Sequence, residues 1–368
     1  MPLLPRPTLG SAARLALLVV AIARIARGAT RSDPIGRSPR PATTDGPADL
    51  GSDVTIVIPA RDEADRIGPC VRALAPTTAT ILVVDDGSSD ATREVAEGAG
   101  ATVVSAGPLP DGWAGKAHAL QVGLDIAATA TVVTLDADTR AHPDFLPAII
   151  SALGDRAMVS AGARVDAPIA TGRAVHASML ATLVYRFGPP GVPARSVERV
   201  MANGQCMAFD REALIQAGGF APVAGSLTED VELARHLAAA GLDVAFEDAT
   251  SVLDVEGYGG ARDTVDGWGR SLALREVTSA PWMAADLAVL WSTMALPVPR
   301  LLAGRGDIID VAALALRLGV AVATRGAFRQ HGWPLLAAPL ADPLVALRVT
   351  SGAIRPATAW RGRDYAVS

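Results

Sequence analysis

Lysine is almost missing from this 368-residue chain. Of its 33 lysines and arginines, only Lys116 is a lysine. An ammonium is a compact point charge and a guanidinium a planar fork. Where arginine serves every general cationic role, a single lysine entering a helix over 117–126 points to a specific electrostatic task. Cysteine is scarce too. Cys70 and Cys206 cannot build a disulfide framework, which fits a reducing compartment. Cys206 has no neighbouring histidine to activate it, which argues against a thiol nucleophile. The five histidines, His118, His142, His176, His236 and His331, include no pair at helical zinc-ligand spacing. Aromatics make up only 4%, so the hydrophobic half of the chain is alanine, valine and leucine, and mean hydropathy is +0.31. A net charge of −5 gives no basis for a nucleic-acid partner. An uninterrupted apolar run of about 20 residues, the length a clean spanning helix needs, is also absent.

What is present is a repeated design. Residues 131–138 read Thr-Val-Val-Thr-Leu-Asp-Ala-Asp, an apolar strand pattern ending in Asp136 and Asp138. On an extended chain, residues two apart point the same way. Two carboxylates on one side suit Mg²⁺ or Mn²⁺ held against a diphosphate. A strand pattern over 80–84 runs into Asp85-Asp86-Gly87-Ser88-Ser89-Asp90, with Ser89 or Asp90 a candidate helix cap. Another over 54–58 ends in Pro59, Ala60, Arg61, Asp62 and Glu63. Helical patterns over 67–74 and 92–99 separate these strands, which predicts a parallel arrangement with all three acidic ends on one edge of the sheet.

In this order, Ile-Val-Ile-Pro-Ala-Arg-Asp-Glu, Val-Val-Asp-Asp-Gly-Ser-Ser-Asp, Leu-Asp-Ala-Asp-Thr and Thr228-Glu229-Asp230 closely resemble the motifs of the family 2 glycosyltransferases, over roughly residues 53–275. The segment Pro-Leu-Pro-Asp-Gly-Trp-Ala-Gly-Lys at 108–116 looks like the hopene-associated and carotenoid (diaponeurosporenoate-type) subgroup. The resemblance implies an α/β GT-A nucleotide-sugar fold, a Rossmann-like mixed sheet with flanking helices. It also implies roles. Pro59, Ala60, Arg61 and Glu63 line the nucleotide pocket, and Asp86 hydrogen-bonds the base. Asp138 ligates Mn²⁺ or Mg²⁺, with Asp136 near the ribose or a metal-bound water. Lys116 faces the donor diphosphate or the sugar, and the turn carrying Gln205 shapes the sugar pocket. Asp230, paired with Glu229, is the base that deprotonates the acceptor. Thr228 is the expected N-cap of their helix. Processive relatives carry Gln-x-x-Arg-Trp after the base. Here residues 266–271 read Asp-Gly-Trp-Gly-Arg-Ser, with no glutamine, which implies transfer of one sugar and leaves Arg270 as a diphosphate contact.

The flanks have a different character. Residues 1–30 carry a short apolar run over 15–23 between arginines, an anchor that lies in the membrane interface or spans if residues 7–26 are all recruited. No signal-peptide cleavage site is evident, and arginines follow the run. Residues 31–52 read as a linker, 53–275 as the catalytic domain, 276–350 as a hydrophobic helical region and 351–368 as a tail. Apolar stretches over 287–302, 308–324 and 333–347 are each interrupted by proline or charge. Trp282, Trp291 and Trp333 lie near their ends, as interfacial tryptophans do. Hydrophobic membrane-associated helices at both ends are therefore expected, with the catalytic domain facing the cytoplasm. The expected partners are a nucleotide-sugar donor, with a UDP-sugar favoured, and a lipid acceptor at the cell membrane. The competing classes are a sugar nucleotidyltransferase, whose early Gly-rich Arg/Lys signature is missing, and a non-catalytic nucleotide-sugar-binding protein, against which the intact Asp136, Asp138 and Asp230 count.

Overall fold

The computed structural model describes residues 9–36 and 51–355, with the backbone of 359–360 and 363–364. A first helix, α1 (Leu9–Ala26), precedes an alternation of strands and helices: β1 (Val54–Ala60), α2 (Ala64–Leu74), β2 (Thr80–Asp85), α3 (Thr92–Gly98), β3 (Thr102–Ser105), α4 (Gly115–Ile126) and β4 (Thr131–Leu135). Then come β5 (Thr139–Ala141), α5 (Phe145–Leu153), β6 (Met158–Gly162), β7 (Arg164–Asp166), α6 (Ala170–Phe187), β8 (Cys206–Asp210), α7 (Arg211–Gln216), α8 (Glu229–Ala239), β9 (Val244–Asp248) and β10 (Leu253–Glu256).

The main sheet has the order β3-β2-β1-β4-β8-β6-β9. Its first four strands are parallel, β8 runs against both β4 and β6, and β9 is parallel to β6. The sheet is therefore mixed, and a small second sheet, β5-β10-β7, closes one end. Strand β1 shows why both faces are covered. Ile56 and Ile58 join Ile67, Val71 and Leu74 of α2 on one face, while Val57 meets Leu120 and Leu124 of α4 on the other. A Cβ on Gly123 would lie 2.3 Å from Val57 Cγ1, so only glycine lets α4 sit directly on β1.

The cap expected from Ser89 or Asp90 takes another form. Ala91 holds the N-cap position of α3. Asp90 Oδ1 accepts from Thr92 N at 3.0 Å, and its Oδ2 accepts from Ala64 N at 3.1 Å, so one carboxylate ties the starts of two helices. Thr228 does occupy the N-cap position of α8, but its hydroxyl makes no cap hydrogen bond and lies against Ser226 Oγ.

The chain ends in helices α9 (Ala261–Gly267), α10 (Ala280–Leu290), α11 (Pro297–Leu302), α12 (Ile308–Ala323), α13 (Trp333–Ala337) and α14 (Asp342–Ile354). Helix α1 packs on α6, α10 and α12, so the two apolar flanks form a single helical layer. The first expected apolar stretch breaks into α10, a π turn at Trp291–Ala295 and α11, as Pro297 and Pro299 require. The third breaks into α13 and α14. Among the described residues no helix is long and apolar enough to cross a membrane. The spanning alternative for 7–26 becomes the 18-residue α1, with residues 7 and 8 outside the described part. Of the expected linker, residues 37–50 lie outside the described residues. Residues 31–36 dock on the domain, through Ser32 N to Gly191 O at 3.0 Å and Ile35 N to Asp248 O at 2.8 Å.

Charge, not only apolar contact, binds the layer. Asp286 is 1% exposed and meets Arg24 of α1 at 2.8 Å, Arg199 at 2.9 Å and Arg186 at 3.4 Å. Arg317 pairs with Asp342 at 2.8 Å, and Ser178 Oγ donates to the same carboxylate at 2.6 Å. Removing one member of such a set strands buried charge. Asp286→Ala is expected to lower unfolding stability by about 3–5 kcal/mol, read by denaturant titration. A loss near zero would show that the guanidiniums are satisfied by the carbonyls they also meet, those of Tyr185, Arg186, Leu272 and Ala273.

Candidate functional site

The register of the parallel strands brings the acidic ends together. Ala60 lies opposite Asp85, Asp85 opposite Ser105, and Val57 opposite Thr134. Pro59, half-buried, sits opposite Val84 at the mouth of this edge.

The turns after β1 and β2 are stitched to each other. Asp62 takes a left-handed backbone, φ 51°. Its Oδ1 accepts from Ser89 N at 2.7 Å and Ser89 Oγ at 3.0 Å, while Ser88 Oγ accepts from Asp62 N at 3.1 Å. The Ser89 N–H holds the Asp62 carboxyl below the usual aspartate range. Arg61 Nη1 donates to Asp86 O at 2.7 Å and stands 3.8 Å from the Asp86 carboxylate. Glu63 N donates to Thr92 Oγ1 at 2.7 Å, and the Glu63 carboxylate faces Arg66 at 3.4 Å.

The centre is an ion triad. Lys116, in the first turn of α4, lies 2.8 Å from Asp136 Oδ1 and 3.1 Å from Glu229 Oε1, and donates to Gly204 O at 3.4 Å. Burial alone would depress its pKa, but Asp136 and Glu229 outweigh that and hold it above the ordinary lysine value. Glu229 is pushed up to about 7 by burial, with Lys116 pulling the other way and Asp230 adding to the rise. Lys116 is thus fixed between two carboxylates rather than reaching out alone. An amine-reactive reagent at pH 8 is expected to label the folded protein at Lys116 at least tenfold more slowly than the unfolded chain, because a protonated amine is no nucleophile. Mass spectrometry reads the single lysine directly, and equal rates would contradict the triad.

Asp230 stands on the other side of Gly204. Its Oδ2 accepts from Gly204 N at 2.7 Å and its Oδ1 from Val231 N at 2.8 Å. Burial raises its pKa, against the pull of Lys116 and of both N–H groups. A Cβ at Gly204 would lie 2.9 Å from Lys116 Nζ and 3.3 Å from both Asp230 Cβ and Glu229 Oε1. The glycine is what lets α4, α8 and this turn converge.

The turn that carries Gln205 is held by its own Asn203 and by Ser160, which the sequence did not flag. Ser160 of β6 accepts from Asn203 N at 2.7 Å and donates to Asn203 O at 3.1 Å. Gln205 N donates to Asn203 Oδ1 at 3.0 Å, and Asn203 Nδ2 donates to Gln205 Oε1 at 2.9 Å. Gln205 O then accepts from Asp136 N at 3.1 Å, so the turn also sets the start of the Asp-Ala-Asp segment. Ser160 left no sequence signal, being one hydroxyl in an apolar strand.

Asp138 differs from its neighbours. Its Oδ1 is buried without a hydrogen-bond partner. Burial pushes its pKa up to about 7, with the carboxylates of Asp136 and Glu63 adding to the rise. Arg66 and Lys116 only partly offset this rise, and a divalent cation would supply further positive charge at the unbonded oxygen. Among the described residues no group of three or more His, Cys, Asp or Glu is arranged to hold a metal ion. This donor set therefore fits a cation that takes its remaining oxygens from a diphosphate and water, the usual manner of Mg²⁺ binding.

The strand ends thus gather Asp136, Asp138, Glu63, Arg61 and Asp86, and the two helix starts add Lys116, Glu229 and Asp230. Arg270 belongs to a short turn, Trp268–Arg270, and its side chain lies outside the described residues. Trp268 packs on His176, with ring centroids 4.6 Å apart. His118 is buried, edge-on to Trp113 at 5.8 Å.

Comparison with known proteins adds a family model described as "Glycosyltransferase like family 2", which matches residues 51–261. Over 88 residues the chain is 41% identical to 4,4'-diaponeurosporenoate glycosyltransferase of Staphylococcus aureus strain USA300, covering 23% of this chain and 24% of that protein. The chain therefore matches about a quarter of the length of these curated relatives. Among solved structures, a mycobacterial protein is 25% identical with a TM-score of 0.44, covering 66% of this chain and 81% of its own. Glucosyl-3-phosphoglycerate synthase from Mycobacterium tuberculosis, in complex with Mn²⁺, UDP and glucosyl-3-phosphoglycerate, is 23% identical with a TM-score of 0.42, covering 71% and 87%.

Proposed function

Because this chain belongs to the glycosyltransferase like family 2, we propose that it moves one sugar from a nucleotide-sugar donor, a UDP-sugar foremost, to a lipid acceptor of isoprenoid, hopanoid or carotenoid type, with inversion at the anomeric carbon. The observation that carries the reading is Gly204, whose carbonyl accepts from Lys116 and whose N–H donates to Asp230. One residue of the turn thereby ties the proposed donor side to the proposed acceptor side.

Asp230 takes the proton of the acceptor hydroxyl. The acceptor oxygen bonds to the anomeric carbon as the bond from that carbon to the diphosphate oxygen breaks, and the nucleoside diphosphate leaves with the electron pair. Arg61 and Asp86 orient the nucleotide, and Lys116 places positive charge beside the donor. A divalent cation, Mn²⁺ or Mg²⁺, would be held by Asp138 with Asp136 beside it, and when bound it neutralises charge on the leaving diphosphate. Glu229 holds Lys116 in place. The missing glutamine after the base supports transfer of a single sugar. The lipid acceptor is supported by the relative named as a 4,4'-diaponeurosporenoate glycosyltransferase. The cell membrane is then the place of action, with the catalytic domain on the cytoplasmic side, where nucleotide sugars are made.

A panel of nucleotide sugars incubated with membrane lipid extract tests the reading by mass spectrometry of the lipids. The expected result is one added sugar on a lipid hydroxyl group with a UDP donor. Donor hydrolysis without any glycosylated lipid would sink the acceptor class. Pyrophosphate-dependent nucleotide exchange would favour a nucleotidyltransferase.

A further inference from the structure

The helical layer is inside out. In α1 every exposed residue from 12 to 26 is apolar, among them Leu15, Val19, Val20 and Ile22, while Arg14 and Arg24 turn inward. Arg14 meets Asp307 at 2.8 Å and Asp310 at 2.5 Å, and Arg24 meets Asp286. Helix α12 repeats the pattern. Its exposed positions are Ile308, Val311, Ala312, Ala315, Gly319, Val322 and Ala323, while Asp310 and Arg317 are buried. The exposed residues of α10 are likewise apolar throughout and include Trp282. A water-facing helix shows the reverse polarity. Because α1 packs directly on α10 and α12, these faces adjoin. Large apolar side chains continue along the chain, with Trp333 70% exposed and Leu302 80%.

Over residues 277–355 the exposed charges are Arg305, Arg325, Arg329 and Arg355, with Arg329 paired to Asp166, while Asp286, Asp310 and Asp342 are buried and Asp307 is half-buried against Arg14; the exposed acids Asp263, Asp266 and Glu276 lie earlier, around α9. An apolar face edged by cations matches acyl chains below anionic headgroups. No described helix can cross, so the match is to one leaflet. The geometry points to a monotopic docking surface: α1, α10 and α12 lie in the plane of an anionic bilayer, apolar faces down, and the chain enters the membrane without spanning it. This deepens the membrane part of the preceding reading and rests on it for its setting. The test, however, reads lipid binding without any sugar transfer.

The test is flotation of the full chain, exchanged from mild detergent into vesicles of phosphatidylcholine with or without phosphatidylglycerol. The wild type should float with both, more with phosphatidylglycerol. It should stay bound at about 1 M salt, where the screening length falls to about 3 Å. Combining Val19→Glu, Val311→Glu and Val322→Glu should release at least about tenfold more protein, since each glutamate sits where acyl chains would lie. Ile126→Glu with Ile215→Glu, exposed apolar positions of the catalytic domain, should change nothing. If the triple variant does not fold, judged by its thermal melt, Leu15→Glu with Ile22→Glu takes its place. Wild type left at the bottom of the gradient overturns the inference. So does flotation of the glutamate variants like wild type, or a lipid-free dimer on this face that vesicles fail to dissolve. Intact flotation with no sugar transfer would sink the proposed activity and leave the docking surface standing.

Discussion

Replacing Asp230 with asparagine should leave donor affinity near wild type and slow transfer by about a hundredfold or more, the usual scale for loss of a general base. With its amide oxygen toward Gly204, asparagine keeps that N–H bond and gives up the one from Val231, in the first turn of α8, so the turn that positions Lys116 should survive. What it cannot do is take a proton. The pH profile adds a second readout. Burial raises the Asp230 pKa, and the base works only when ionised. In the wild type, transfer should therefore rise with pH through that raised pKa, and the rising limb should vanish in the variant. Binding of the donor is measured by titration calorimetry and transfer by single-turnover kinetics. Collapse of donor binding with an unchanged rate constant would place Asp230 in the donor site instead.

Asp138→Asn should abolish transfer and at the same time stabilise the metal-free protein. The two effects share one cause. In the folded protein the Asp138 pKa is pushed up to about 7 by burial, then by Asp136 and Glu63. In the unfolded chain it returns to about 3.9. Between those values the folded state binds a proton that the unfolded state does not, so stability falls as pH rises from about 4 to about 7 and stays lower above that. Asparagine removes the dependence. In chelator at pH 8 the variant should melt above the wild type, and the gap should close at low pH. Wild-type transfer should stop in EDTA and return with Mn²⁺ or Mg²⁺. Full activity in chelator, or a variant that melts lower at pH 8, would contradict the cation role assigned to Asp138. Such a site trades stability for function.

The three acidic strand ends were readable because their placement follows from local pattern and the parallel rule alone. Lys116 was readable for another reason, its rarity against a background of arginine. What the sequence concealed depends on partners distant along the chain. Gly204 reads as an ordinary turn glycine until α4 and α8 converge on it. Ser160 acquires its role only when β6 lies beside the turn. Asp90 reads as a local cap, and only the pairing of β1 with β2 brings Ala64 N within its reach. The flanks show the same limit. Arg14 and Arg24 look like charges bound for headgroups or water, yet their acceptors, Asp286, Asp307 and Asp310, lie 262 to 296 positions away. Reading α1 alone gives the right element with its charged side assigned to the wrong neighbour.

That long separation has a consequence for biosynthesis. Arg24 and Asp286 are 262 residues apart, and Arg14 and Asp307 are 293 apart. At roughly 5–20 residues per second, α1 leaves the ribosome tens of seconds before its acidic partners exist. Throughout that interval both its arginines and its apolar face lack the rest of the layer. A nascent-chain holdase or a nearby lipid surface would have to shelter it. Chains arrested after the strands but before residue 286 should therefore be caught by chaperones or proteases. Chains released beyond residue 323, where α12 ends, can close the layer of α1, α10 and α12 for themselves.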